Sequence, residues 1–389
     1  MEGDLKKHLM TTTALIAAGL LAGPGAALAQ KASKPTLTLG GWVEGIVGFA
    51  DNDDDGGNGI AKRVDFDTQY DSEFHFKGQA VLDNGIRIRT RAELEGETAG
   101  DQIDEAYIAI SGYFGEIRAG SEDNAAHLMV TPYSGSWATG VGQNLFFDTG
   151  DWIVQPSGHT ANRSTRLDLG EADSNKITYF TPRIAGVQLG ATYMPSFTEA
   201  TATSSAQDKI PATNSSPHNG FAVAANFDRK FDQLRVGLGA GYAQVKQAGD
   251  ASDFDDLGDP KGYNVGGSLE FQGFKVSAGY KREWNRGSSS TGASTPLTRL
   301  DNEVLDIGGR YIFGKNAVSV GYMHQEGDGA AAVAGEDETD RMLVSYRRIL
   351  GPGVHYRLNF FYADYEGENA GSADDNDGYA ITTSVRVNF

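Results

Sequence analysis

Three arginines alternate with small or apolar residues in one short segment of the 389-residue chain. Arg87, Arg89 and Arg91 lie on one face of a predicted strand, because successive strand side chains point to opposite sides of a sheet. Lys77 and Arg118, in neighbouring predicted strands, have the same facing. A row of fixed positive charges can attract anions and orient polar solutes. The alternative interpretation is a ladder of solvated charges on the surface of a soluble sheet.

The longest segment without a strand pattern, residues 122–174, carries the opposite charge. Its carboxylates Glu122, Asp123, Asp148 and Asp151 could face the arginines across a narrow gap and so create a transverse field. Connections of this length are usually functional or disordered. We therefore predict a loop that folds inward as a constriction, with a mobile external loop as the alternative. Four aromatic residues could anchor it against a wall: Trp137, Phe146, Phe147 and Trp152.

No segment predicts a catalytic, cofactor or specific metal site. Asp51 to Gly56 matches the first half of a calcium-binding loop, but Lys62 stands where such loops need a bidentate Glu. The seven histidines show no metal-ligand spacing, and the sequence contains no G-x-S-x-G motif. We expect no cofactor, and at most weak, nonspecific binding of divalent cations by the acidic loops.

A two-residue alternation of apolar and polar side chains runs through the chain from about residue 36. In the last segment, Tyr379 to Phe389, the odd positions are mostly apolar and the even positions small or polar. This pattern predicts a strand with one apolar and one polar face. Counted through the chain, the pattern gives sixteen strands. In the N-terminal third they are predicted at about 36–50, 66–82, 86–96, 103–112 and 116–121.

The connections between these strands alternate in length. Short turns such as Asn84-Gly85, a strong signal for a two-residue hairpin with a type I′ turn, are followed by long polar segments such as residues 197–218. Short turns on one rim and long loops on the other are typical of outer-membrane barrels. An even number of strands also suits a closed antiparallel barrel whose two ends lie on the same side.

The choice between a membrane barrel and a soluble barrel depends on which face is apolar. Sixteen strands enclose a lumen too wide to be filled by side chains, so a packed apolar interior is excluded. The apolar face must then contact lipid, and the charged face must line water. An arginine facing lipid would cost about 2–4 kcal/mol at the membrane midplane, which places Arg87, Arg89 and Arg91 in the lumen. The sequence therefore predicts an all-β, 16-stranded transmembrane barrel with short periplasmic turns and long external loops.

The N-terminus predicts export. Lys6 and Lys7 precede the apolar run Leu15 to Leu21, and Ala27 to Ala29 form an A-x-A cleavage pattern, as in a signal peptide. We expect residues 1–29 to be removed and residues 30–389 to form a single barrel domain. The net charge of −19 argues against nucleic acid as a partner, because phosphate binding needs a basic surface.

The signal peptide, the sixteen alternating strands, the long loop at 122–174 and the terminal Phe389 resemble the general diffusion porins of Gram-negative bacteria. The resemblance covers residues 36–389. It implies a homotrimer surrounded by outer-membrane lipid and lipopolysaccharide. It also implies that Arg87, Arg89 and Arg91 form a basic cluster facing the loop carboxylates. The loop lacks the Pro-Glu-Phe-Gly-Gly stretch of enteric members, so the individual carboxylates of the constriction are less well defined than the loop itself.

The function predicted from these features is passive diffusion of ions and small hydrophilic solutes through a water-filled channel. Three alternatives stay open: a channel biased toward sugars or one ion sign, an outer-membrane hydrolase, and an adhesin with a closed lumen. The acidic loops should attract cations, while the arginine row opposes them. We expect a weak cation preference that falls with rising salt, because screening shortens the reach of exposed charge.

Overall fold

The computed structural model describes most of residues 32–389. Three parts of the chain lie outside the described residues: the predicted signal peptide, residues 54–62 of the segment that resembles a calcium-binding loop, and much of the long polar connections. The described residues are 32–53, 63–96, 103–156, 159, 164–169, 174–196, 218–246, 259–288, 298–328, 335–368 and 375–389.

Sixteen antiparallel strands form one closed barrel, in which each strand pairs with its neighbours in sequence and β1 pairs with β16. This confirms the predicted fold. The strands are β1 Ser33–Asn52, β2 Phe66–Val81, β3 Arg87–Glu95, β4 Ile103–Gly112, β5 Gly115–Ser121, β6 Asn175–Phe180, β7 Val187–Ser196, β8 His218–Phe231, β9 Leu234–Lys246, β10 Lys261–Phe271, β11 Phe274–Ser288, β12 Thr298–Phe313, β13 Asn316–Asp328, β14 Glu336–Gly351, β15 Val354–Glu366 and β16 Asn376–Asn388.

The two faces of the wall differ as the alternation predicts. Leu358, Ile381 and Val385 are 41%, 48% and 45% exposed on the outside of the barrel. Between the latter two in β16, Thr382 and Ser384 point inward and are buried. An exposed apolar belt on the outside is the surface that a membrane-spanning barrel presents to hydrocarbon.

The turn between β2 and β3 shows how local sequence ends a strand pair. Gly85 has a φ of 81°, and its N–H donates to the Leu82 carbonyl at 2.9 Å. The φ of Asn84 is not positive, so the expected type I′ turn does not form. The connection is instead a three-residue hairpin, in which a left-handed glycine follows an ordinary turn. Asn84 contributes through its side chain, which accepts a hydrogen bond from the Ile86 N–H at 3.2 Å.

The connection between β5 and β6 is called the constriction loop (residues 122–174), and its described residues lie inside the barrel. It contains helices α1 Ala125–Val130, α2 Gly135–Thr139 and α3 Phe147–Trp152. Helix α1 lies against β7 to β10, α2 against β10 to β13, and α3 against β15. Among the described residues, no helix is both long enough and apolar enough to cross a membrane.

Glycines at inward-facing strand positions make room for this loop. A Cβ atom built on Gly241 would lie 2.6 Å from the Cβ of Ala126, and one on Gly308 would lie 2.1 Å from Oγ1 of Thr139. Such distances are too short for any side chain. The α1 and α2 helices can therefore approach the wall only because the facing strands carry glycine there.

Polar anchors fix the loop at three places along the wall. Asp306 accepts hydrogen bonds from the backbone N–H and the hydroxyl of Ser136, each at 2.8 Å. The Asn264 side chain donates to the carbonyls of Ala126 and Thr165, both at 3.2 Å. Near α3, the Asn52 side chain donates to the Trp152 carbonyl at 3.3 Å.

Apolar contacts add to these anchors. Buried side chains of the loop and of the inner wall form one continuous cluster. Its members include Ile46, Leu145, Trp152, Ile153, Val304, Met323, Leu343 and Phe361.

Candidate functional site

The constriction loop leaves part of the lumen open beside strands β1 to β4. This space, which we call the lumen cavity, has a volume of about 1050 Å³. Its described lining holds ten carboxylates and four basic side chains. The carboxylates are Glu44, Asp71, Glu73, Glu95, Asp104, Glu105, Asp123, Asp148, Asp151 and Asp168, and the basic residues are Arg166, Lys281, Arg357 and Arg386.

The basic side chains of β15 and β16 are paired with one carboxylate of β1. Glu44 Oε2 lies 2.7 Å from Nη1 of Arg357 and 3.6 Å from Nη1 of Arg386. The Arg386 guanidinium also lies 3.6 Å from the ring centre of Trp42, a cation–π contact. Glu44 therefore neutralises only one of these two positive charges.

The loop carboxylates differ in their charge state. Burial opposes ionisation of Asp123, but its contacts with His127 at 2.7 Å and Arg166 at 3.3 Å outweigh that effect and hold its pKa at about 2. Burial raises the pKa of Asp148 to about 7, although the Asn144 N–H donates to it, and the nearby Asp151 adds to the rise. Burial also raises the pKa of Asp151. Asp123 is thus a permanent charge, whereas Asp148 titrates near neutrality.

Arg166 also holds the aromatic side chains of the loop together. Its guanidinium lies 5.5 Å from the ring centres of both Trp137 and Phe147. Those two rings meet edge to face at 5.8 Å. Trp152 is buried against the wall, as the predicted anchoring role requires, while Phe147 stays exposed.

The predicted basic residues lie next to one another on the inner wall, but outside the residues that line the lumen cavity. Arg89 forms an ion pair with Glu116, and Arg91 with Glu93. Lys77 is opposite Arg91 in the strand register and is exposed. Arg87 is the first residue of β3 and precedes Arg89 by two residues on the same face. Paired in this way, Arg89 and Arg91 add little net charge to the lumen.

Arg118 is a predicted basic residue that the structure brings to a predicted loop carboxylate. It pairs with Glu122 and, at 2.6 Å, with Glu116. Burial raises the pKa of Glu122, and the Arg118 charge partly offsets that rise. Asp148 and Asp151 line the lumen cavity instead. The proposed field between the full arginine row and these two carboxylates stays a prediction.

Sequence reasoning missed the acidic residues of the wall. Glu44, Glu73 and Glu105 line the lumen cavity from β1, β2 and β4. Their inward facing could have been read from the sequence, since Glu44 alternates with Val43 and Gly45 in a strand whose other face is apolar. The sequence also contains the partners of the arginines, because Glu93 has the same facing as Arg91.

Comparisons with known proteins agree with this architecture. A family profile described as Gram-negative porin matches residues 11–370. Outer membrane porin protein 32 of Delftia acidovorans is 27% identical over 73% of this chain and 75% of that protein. A monosaccharide porin of Halomonas is 24% identical over 82% of this chain and 80% of that protein.

Among solved structures, in-vitro folded OmpT of Vibrio cholerae, in its trimer form, has the same fold. It aligns with a TM-score of 0.57 at 13% identity and covers 92% of this chain and 100% of that one. The profile match spans most of the chain, and the closed barrel with its polar lumen supplies the matching architecture. The chain therefore belongs to the Gram-negative porin family and forms a water-filled channel across the outer membrane.

Proposed function

We propose that this channel passes small hydrophilic solutes by passive diffusion and prefers cations to anions. The observation that carries the proposal is the excess of carboxylates in the lining of the lumen cavity. A cleft lined by one sign of charge with low-dielectric walls focuses the field and enriches counter-ions. The transport needs no cofactor, and the site residues bind and orient solutes instead of catalysing a reaction.

The arginines of β3 and β5 weaken this preference less than their number suggests. Arg89, Arg91 and Arg118 each have a glutamate partner on the wall or at the start of the loop. A paired charge contributes a short-range dipole, and its effect on a distant ion is small compared with that of an unpaired charge. We therefore retain the arginine row as a proposed positioning wall for polar solutes rather than as an anion filter.

The test is the zero-current potential of the refolded protein in a planar bilayer under a potassium chloride gradient. We expect a cation-selective sign that declines as salt rises. The double variant Asp148→Asn with Asp151→Asn should shift the potential toward anions at pH 8. Asp83→Asn, which removes one carboxylate from the short turn after β2, is the control and should have little effect. Anion selectivity of the unmodified protein would refute the proposal.

A sugar-biased channel is the second candidate, because Trp42 and Trp137 line the lumen cavity. Each indole, however, already has a guanidinium over its ring, from Arg386 at 3.6 Å and Arg166 at 5.5 Å. The rings therefore offer less free surface for sugar stacking than an unoccupied aromatic platform would. Liposome-swelling rates for neutral monosaccharides, compared with polyols of equal size, test this candidate. Equal rates would exclude a sugar bias.

We also propose that three copies associate in the membrane, in contact with lipid and lipopolysaccharide. The named trimer form of the Vibrio cholerae relative supports this. Conductance steps that open in threes, or a trimer mass in detergent, would support the proposal, whereas single steps and a monomer mass would contradict it.

A further inference from the structure

Three potential metal ligands meet on the inner wall beside the lumen cavity. The Nε2 atom of His75 lies 2.8 Å from Oε1 of Glu73 and 3.5 Å from Oε2 of Glu93. The three donor atoms lie within 4.8 Å of one another. Glu73 itself lines the lumen cavity, so the cluster lies beside the path of permeating ions.

The spacing of the donor atoms fits a metal ion. Zinc binds imidazole nitrogen and carboxylate oxygen at about 2.0–2.2 Å, so neighbouring ligand atoms lie about 2.8–3.6 Å apart in octahedral or tetrahedral geometry. The two separations from His75 Nε2, 2.8 Å and 3.5 Å, lie within that range. The remaining separation, between the donor oxygens of Glu73 and Glu93, is at most 4.8 Å.

The strands hold the three side chains in place. His75 of β2 and Glu93 of β3 are direct partners in the antiparallel register, and Glu73 precedes His75 by two residues on the same face. Ligands on paired strands are positioned more accurately than ligands on loops. The side chains are also partly shielded from water, with exposures of 15% for His75 and 5% for Glu93.

Each carboxylate is oriented by a second hydrogen-bonding group. The indole N–H of Trp42 donates to Oε2 of Glu73 at 3.2 Å, which leaves Oε1 toward His75. Arg91 pairs with Oε1 of Glu93, which leaves Oε2 toward His75. Outer groups that fix the direction of metal-binding carboxylates are a regular part of protein metal sites.

We propose that Glu73, His75 and Glu93 bind one divalent transition-metal ion of the zinc type. The imidazole favours zinc, nickel or copper over calcium and magnesium, which prefer sites made of oxygen ligands alone. Water completes the coordination shell from the lumen side. The proposal concerns binding to the wall and does not depend on the ion preference proposed for the channel.

A bound ion would change the field in the channel. It adds two positive charges beside Glu73 and so offsets the charge of the two carboxylates that hold it. Where the proposed cation preference is correct, an occupied site reduces that preference. This second effect rests on the proposed function, whereas the binding itself is measured without any current.

The first test is calorimetric titration of the refolded protein in detergent with zinc chloride. We expect saturable binding of one ion per chain, and loss of that binding in His75→Gln. His355→Gln on β15, another histidine of the inner wall, is the matched control and should bind as the unmodified protein does. Trp42→Phe removes the orienting hydrogen bond to Glu73 but keeps an aromatic ring beside Arg386, and it should weaken binding about tenfold or more.

The identity of the ligands is tested by X-ray absorption at the zinc edge of the unmodified protein. One imidazole among oxygen neighbours supports the site. An all-oxygen shell, absence of one-per-chain binding, or equal binding by His75→Gln and the unmodified protein would overturn it. Displacement of zinc by an equal concentration of calcium would also overturn it, because that result indicates only general acidic surface binding. In the bilayer, micromolar zinc should then lower cation preference except in His75→Gln.

Discussion

The two sides of the barrel interior use their inward-facing positions in different ways. On β9 to β13 these positions include Gly241 and Gly308, which lie against the helices of the constriction loop. On β1 to β4 they include Glu44, Glu73 and Glu105, which line open space. The first wall supports helices α1 and α2 of the loop, and the second presents carboxylates to the lumen. The difference shows that a single alternation of inward and outward residues can serve both purposes, depending only on side-chain size and charge.

The largest effect should follow from crowding the supporting wall. Gly308→Ala places a Cβ 2.1 Å from Oγ1 of Thr139 and 2.8 Å from the Gly135 carbonyl oxygen. We expect the constriction loop to shift, with a higher single-channel conductance and a loss of about 1–3 kcal/mol in stability, as for overpacked cores. Gly309→Ala faces outward, with its nearest contact at 3.8 Å, and is the control. Unchanged conductance and stability in Gly308→Ala would show that the loop does not depend on close contact there.

A smaller effect is expected from the open wall when Arg87, Arg89 and Arg91 are replaced together by Ser. Removal of Arg89 and Arg91 leaves Glu116 and Glu93 without these partners. The wall then becomes more acidic, so conductance should rise and the zero-current potential should shift further toward cations. If neither changes, the arginine row does not contribute to the channel's selectivity.

The smallest effect concerns a single carboxylate between the two walls. Burial raises the pKa of Asp148 to about 7, so this group is mostly charged at pH 8 and mostly neutral at pH 6. Cation preference should therefore decrease as the pH falls through 7, and the part due to Asp148 should be absent in Asp148→Asn. Zero-current potentials measured at both pH values provide the comparison. An equal pH response in the variant would assign the effect to other groups.

The strands of this chain and the facing of their side chains follow from local sequence. Particular residues show where that prediction agrees with the structure. The predicted facing of Leu358, Ile381 and Val385 toward the outside is confirmed by their exposure. The turn at Gly85 was placed correctly, but its type was wrong, because Asn84 does not adopt a positive φ. Such local features follow from side-chain periodicity and turn chemistry, which act over a few residues.

The arrangement of charges in the candidate site could not be predicted from the same local patterns. The sequence identified the acidic and basic candidates, yet the pairing of Arg118 with Glu122 and the open position of Asp148 depend on how the loop lies in the barrel. That path is set by contacts such as Ser136 with Asp306, which are separated by 170 residues. No local pattern specifies such a contact.

The sequence by itself determined that alternating strands close into a barrel with an apolar outside and a polar inside. A period of two is a property of each strand alone, and lipid and water then select the orientation. Only the tertiary structure decided which inward charges cancel one another, which line open space, and that His75 meets Glu73 and Glu93. Charge pairing depends on distances across neighbouring strands and across the lumen, and closure of the barrel sets those distances.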